Sequence, residues 1–192
     1  MVCDGVRCGI MTNMKRAYGF TIVELLIVIV VIGILAAISI VAYGSISTKA
    51  ENTKTVQGVS QYVKAIHSYA ALNSAYPIVT YACLGPTGTS CARVTGSTVC
   101  LGVGAVLAAP SFDTAIKEVI NGDLPKLSAQ KMPCAENELS GGFYRSADGK
   151  MAQIYYFLKG DQPCESIGGV QSVSRAQQDG ATRCLLTLPI RT

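Results

Sequence analysis

The stretch GFTIVELLIV, residues 19–28, opens a run from Phe20 to Tyr43 that is apolar except for small polar residues and one full charge. At about 1.5 Å of rise per residue, a helix of this length spans roughly 36 Å, enough for the ~30 Å hydrocarbon core of a membrane. Lys15 and Arg16 precede the run, so the positive-inside rule predicts a cytoplasmic N-terminus and export of everything that follows. The one charge is Glu24, and a carboxylate costs about 2–3 kcal/mol in a membrane helix.

The helical pattern continues beyond the apolar run. Apolar residues recur at intervals of three and four and form an amphipathic stripe, which consists of Val56, Val59, Val63, Ile66 and Ala70. No proline occurs between Phe20 and Tyr76, so the sequence predicts one helix over about residues 21–74, ended by Asn73-Ser74 and Pro77. The first half of this helix is apolar all round, and the second half has one face to bury.

The remaining sequence has the texture of strands and turns. We expect an extended segment in YPIVTYACLG, a turn-rich loop in GPTGTSCARVTGSTVC, and a short helix that starts near Ser111 and ends before Gly122. Two aromatic-rich runs flank Asp148-Gly149, which predicts a β-hairpin, and a last strand is expected near Thr182–Leu188. The predicted fold class is α+β, with a long N-terminal α-helix packed through its stripe against a small antiparallel β-sheet.

Eight cysteines lie on the two sides of the apolar run. Cys3 and Cys8 precede it, and six follow it: Cys83, Cys91, Cys100, Cys134, Cys164 and Cys184. None of the six forms a C-x-x-C pair, which argues against a zinc ribbon or a redox motif. An even set of dispersed cysteines in an exported domain favours three disulfides, and free buried thiols are the alternative. The spacing does not determine the pairing, although at least one pair is expected among the first three of the six.

Signals of catalysis or of a bound cofactor are weak. The one histidine, His67, lies beside the stripe of the long helix, where a place on the helix surface or the core edge explains it. Metalloprotease, nucleophile-elbow and P-loop motifs do not occur, and the acidic residues show no metal-binding spacing. Beyond residue 19 the chain has 13 basic and 11 acidic residues, too weak a balance to argue for nucleic acid. We therefore expect that the protein is not an enzyme and that it binds no cofactor and no metal ion.

The stretch KRAYGFTIVELLIVIVVIGILAAISIVAY, residues 15–43, closely resembles the N-terminus of type IV pilins and the related pseudopilins. The shared elements are a short basic leader, Gly19 before Phe20, a threonine, a glutamate four residues after the phenylalanine, and a long apolar run. The resemblance implies that a membrane prepilin peptidase cuts between Gly19 and Phe20 and that the new amine on Phe20 is methylated. It also implies that Glu24 is the acid that matters for assembly.

The resemblance further implies a division of the chain. Residues 1–19 would be a cleaved leader, 20–43 the transmembrane and filament-core half of the helix, 44–74 its amphipathic half, and 75–192 the exported domain, with a Cys164–Cys184 disulfide that borders a surface-exposed region. The subunit would be a single-pass protein of the inner (cytoplasmic) membrane and then part of an extracellular pilus. Its partners would be other copies or other pilins, the peptidase, a membrane assembly platform, and lipid before assembly.

Two features depart from the family pattern. Val41 stands where many pilins have a proline that kinks the helix, so the sequence does not predict that kink. The 19-residue leader is long, and a start at Met11 or Met14 instead of Met1 would shorten it.

Four roles stay open: a pilin used in adhesion or twitching motility, a pseudopilin of a type II-like secretion system, a DNA-uptake pilin, and a single-pass protein with an exported sensory domain. Nucleic acid is the least favoured partner.

Overall fold

The computed structural model describes residues 20–85, 91–93, 106–134 and 137–191. The leader, with Cys3, Cys8 and Gly19, lies outside these residues, and so does Cys100. The chain divides into two compact units, with the boundary between Tyr43 and Gly44.

One helix, α1, runs over Ile22–Asn73 and confirms the predicted long helix to within a residue at each end. It continues through Val41 without interruption. The helix ends where Ser74 adopts a left-handed backbone conformation with φ 58°, a common way to terminate a helix. In the part of the chain that the structure describes, α1 is the one helix long and apolar enough to cross a membrane.

The large apolar side chains of the first unit are exposed. Between residues 20 and 40 the exposed fractions of these side chains run from 47% at Val31 to 86% at Ile22. A helical segment that is apolar on every side belongs in lipid or against other helices, because soluble proteins rarely leave such a contiguous apolar surface in water.

The second unit contains a five-stranded antiparallel sheet, a three-stranded sheet and a short helix. The strands are β1 (Val79–Cys83), β2 (Ala92–Arg93), β3 (Met132–Cys134), β4 (Asn137–Leu139), β5 (Gly142–Ser146), β6 (Gln153–Lys159), β7 (Ser172–Gln178) and β8 (Ala181–Thr187). The larger sheet has the order β1-β5-β6-β8-β7 and the smaller one β2-β4-β3. The short helix, α2, spans Pro110–Lys117 and starts on a proline, which suits the first turn of a helix.

The core lies between the sheet and the stripe of α1. Val59, Val63, Ile66 and Ala70 have no exposed surface, and Val56 packs at the edge of the same cluster. They meet side chains of one sheet face, among them Tyr144, Ile154, Tyr156 and Leu186. The prediction of an α+β fold with the helix packed on a small antiparallel sheet is confirmed.

The strands differ from the sequence analysis in two places. The hairpin at Asp148-Gly149 exists, but its connection runs from Ser146 to Gln153 and is not a two-residue turn. The Asp148 carboxylate accepts the backbone N–H groups of Lys150 (2.9 Å) and Met151 (3.1 Å), which orders the longer loop. The tight turn is a second Asp-Gly pair, Asp179-Gly180, between β7 and β8, where both residues have positive φ.

Candidate functional site

The start of α1 is closed by a reciprocal pair of side chains. Thr21 precedes the first helical residue, and its Oγ1 accepts the backbone N–H of Glu24 at 3.2 Å. In return, Oε2 of Glu24 accepts the backbone N–H of Thr21 at 2.8 Å and the Thr21 hydroxyl at 2.7 Å. This is a capping box, in which two N–H groups without helical partners are satisfied at once.

The capping box explains how a carboxylate is held at the end of an apolar helix. One oxygen of Glu24 takes both bonds from Thr21, and no other described residue donates to Oε1. The carboxylate also lies in the first turn, where the positive end of the helix dipole favours a negative charge. Within the described part of the chain, Glu24 is therefore oriented through Oε2 by Thr21 at the start of its own helix.

Of the three predicted processing and assembly residues, the structure describes two. Phe20 lies just before the helix and is 84% exposed, and Glu24 lies in the first turn. Gly19 is outside the described residues. Thr21 belongs to the family pattern, but its capping role was not predicted. The spacing Thr-x-x-Glu over residues 21–24 is the signal that would have identified it as the capping partner.

Among the described residues, two disulfides close segments of the second unit. Cys83 is bonded to Cys91, and Cys164 is bonded to Cys184, each with 5.5 Å between the Cα atoms. Cys134 is the last residue of β3, and its side chain is not among those described. Both bonds lie within the second unit, in the part of the chain expected to be exported.

The second disulfide closes a segment that also contacts the helix. Nε2 of His67 lies 2.8 Å from the carbonyl oxygen of Gly169, so the one histidine of the chain links α1 to the segment between Cys164 and Cys184. Gly169 has φ +87°, and a Cβ there would lie 2.9 Å from that nitrogen. The interpretation of His67 as a residue of the core edge agrees with this contact.

A second polar clamp joins α1 to the sheet. Nδ2 of Asn52 donates to the carbonyl of Lys159, and Oδ1 of Asn52 accepts the N–H of the same residue, both at 2.9 Å. Asn52 is only 9% exposed. Sequence reasoning missed it, although it lies four residues before Val56 and so continues the stripe by one turn. Its amide can pair with both backbone groups at the end of β6 in the way a neighbouring strand would.

Groups of three or more histidine, cysteine, aspartate or glutamate side chains that would hold a metal ion do not occur among the described residues.

Residues 14–40 match the family model of the prokaryotic N-terminal methylation motif. Comparisons with curated proteins and with solved structures give no match. The matched residues include the whole capping box and the residues on both sides of the expected cut. The chain therefore carries the prepilin signal that type IV pilins and pseudopilins share, and this signal supports a pilin-like or pseudopilin precursor.

Proposed function

We propose that the protein is a structural subunit of a type IV pilus filament. Residues 1–19 are the leader, which prepilin peptidase removes after Gly19, and the mature chain begins at Phe20 with a methylated amine. Residues 20–43 anchor the subunit in the membrane and later lie in the filament core, 44–74 form the amphipathic half of the helix, and 75–192 form the exported domain. The observation that carries this proposal is Glu24, which Thr21 orients through Oε2 while the described residues donate no hydrogen bond to Oε1.

The cut supplies the group that Glu24 lacks. Cleavage before Phe20 creates an α-amine at the start of an apolar helix, four residues from the carboxylate. In a filament core, Glu24 of one subunit neutralises the amine of a neighbour while both lie among apolar side chains. Removal of one partner of a buried ion pair typically costs about 3–5 kcal/mol, so the pair favours one axial register and rejects subunits that have not been processed.

The disulfides of the exported domain support a location outside the cytoplasm. Its two described disulfides require an oxidising compartment, and each contributes about 2–4 kcal/mol to a domain of this type. Type IV pilins and pseudopilins are structural proteins, so the proposal assigns the chain no reaction and no cofactor. Adhesion and twitching motility are uses that such a filament would support.

The second candidate is a pseudopilin of a secretion system, which would build a short periplasmic fibre. The methylation motif favours it equally, because pilins and pseudopilins share this signal. The two candidates differ in the location of the fibre: a pilus extends from the cell surface, whereas a pseudopilus stays in the periplasm. Shearing of intact cells followed by electron microscopy and immunodetection recovers a surface pilus and leaves a periplasmic fibre behind.

The first experiment is mass spectrometry of the N-terminus of the protein purified from its own cells. The proposal expects N-methyl-phenylalanine from Phe20 as the first residue. A mature protein that still contains residues 15–19 would refute processing, and with it both filament candidates. That result would favour a single-pass protein with an exported sensory domain.

A further inference from the structure

The second unit contains a partly enclosed cavity of about 300 Å³ that the filament proposal does not use. It lies between α1, the end of β1, the segment before β3 and the turn that enters β5. This volume is at the lower end of the range for small-molecule sites, which are usually apolar with a few polar groups. Most of the lining surface is apolar, contributed by residues such as Leu84 and Leu127.

The walls of the cavity are held by covalent and hydrogen bonds. The Cys83–Cys91 disulfide forms part of the lining, and Ser140 N–H donates to the Cys91 carbonyl at 2.9 Å. A Cβ on Gly58 of α1 would lie 2.9 Å from Cδ1 of Leu127, so the missing side chain lets this wall approach the helix. A cavity with such walls is preformed, which lowers the entropy cost of binding.

The charged residues in the described lining of the cavity have one sign. Among the described lining residues, Lys54 on α1 and Lys126 in the segment before β3 are charged, and both side chains are exposed. No described lining residue is acidic. An apolar cavity with two lysines in its described lining is complementary to a small molecule that has an apolar body and a negatively charged group.

We propose that this cavity binds a small, water-soluble carboxylate with an apolar body, such as a compact aromatic acid. The apolar body occupies the space beside the disulfide and Leu127, and the carboxylate lies at the opening between Lys54 and Lys126. This site is independent of the filament assembly proposed above, because it uses no residue of the N-terminal segment.

The test is equilibrium dialysis of 2-naphthoate against the full chain in lipid nanodiscs, with empty nanodiscs as the blank. The proposal expects saturable binding of one molecule per chain, weakened by added salt. Lys54→Ala and Lys126→Ala should each weaken binding about 3-fold, and the double variant about 10-fold. Lys64→Ala, an exposed lysine of the same helix that does not line the cavity, is the matched control and should have no effect.

Two further measurements separate this site from general adsorption. The cationic analogue 2-naphthylmethylammonium should bind much more weakly than 2-naphthoate, and Ala129→Trp should block the anion because residue 129 lines the cavity. Equal uptake by empty nanodiscs, or equal binding by the double lysine variant and the wild type, would overturn the proposal. Because both lysines are exposed, their replacement leaves the core unchanged and the test remains decisive even if Ala129→Trp folds poorly.

Discussion

The capping role of Glu24 and its proposed role in assembly can be separated by a pair of substitutions. Glu24→Gln keeps an amide oxygen that can accept the two bonds from Thr21, at 2.8 and 2.7 Å in the structure, but removes the negative charge. Glu24→Ala removes both. If the carboxylate acts as the partner of a neighbour's amine, the glutamine variant should fail to assemble nearly as completely as the alanine variant.

The expected magnitudes differ enough to decide. Loss of a helix cap costs about 0.5–2 kcal/mol, which shortens the ordered helix by part of a turn. A buried amine left without its carboxylate costs about 3–5 kcal/mol at each subunit contact, a loss of roughly 100-fold or more in the association constant. A filament repeats this contact many times, so the second cost should abolish assembly where the first only weakens it.

The assay is the amount of sheared filament, measured beside the amount of processed subunit in the membrane. Thr21→Val is the matched control, because it removes the capping hydroxyl and leaves the charge; its filaments should form at reduced yield. Processing of all three variants should be close to normal. Wild-type filament levels in the Glu24→Gln variant, together with loss in Glu24→Ala, would refute the charge role and leave Glu24 as a cap.

Three more predictions concern the second unit, residues 44–192. Asn52→Ala leaves both backbone groups of Lys159 without their partner, so the free energy of unfolding should fall by about 2–3 kcal/mol, measured as a lower denaturant midpoint. Replacement of Cys164 and Cys184 by serine opens a 20-residue loop and should cost about 3 kcal/mol in the same measurement. Burial raises the pKa of Tyr156 to about 12. Its contribution to stability is therefore complete below about pH 10 and is lost as the pH rises towards 12, which a tyrosinate absorbance titration with circular dichroism will follow.

Each of the three predictions has an outcome that contradicts it. An unchanged midpoint in Asn52→Ala would mean that the clamp to β6 contributes nothing in solution, and Thr53→Ala, an exposed neighbour, is the control. A double cysteine variant as stable as the oxidised protein would show that the closed loop is equally ordered without its bond. Ionisation of every tyrosine near pH 10 while the circular dichroism is still native would contradict the burial of Tyr156.

Local patterns predicted the helical parts of the molecule well. The bounds of α1 follow from the absence of proline after Phe20 and from the stops at Asn73 and Ser74, which act within a few residues. The stripe also predicted the buried face, because helical periodicity places its members on one side whatever they pack against. The hairpin around Asp148 was predicted for the same reason, although the length of its loop was not.

The sheet edge and the polar clamps were not predictable in this way. β7 is mostly polar and exposed, so it lacks the apolar alternation that identifies a strand, and it exists because β8 supplies the partner for its backbone. The only local signal for it was the Asp179-Gly180 turn. Asn52 and Lys159 are 107 positions apart, and no short pattern connects them.

For this protein the sequence alone determined the long helix, its exposed apolar half and the processing signal at its start, since each depends on neighbours within a few residues. Only the tertiary structure decided which cysteines pair in the two described bonds, how Asn52 and His67 attach the helix to the rest of the domain, and that Lys54 and Lys126 line one cavity. These features join residues far apart in the chain, and their energies depend on burial that exists only once the fold has formed.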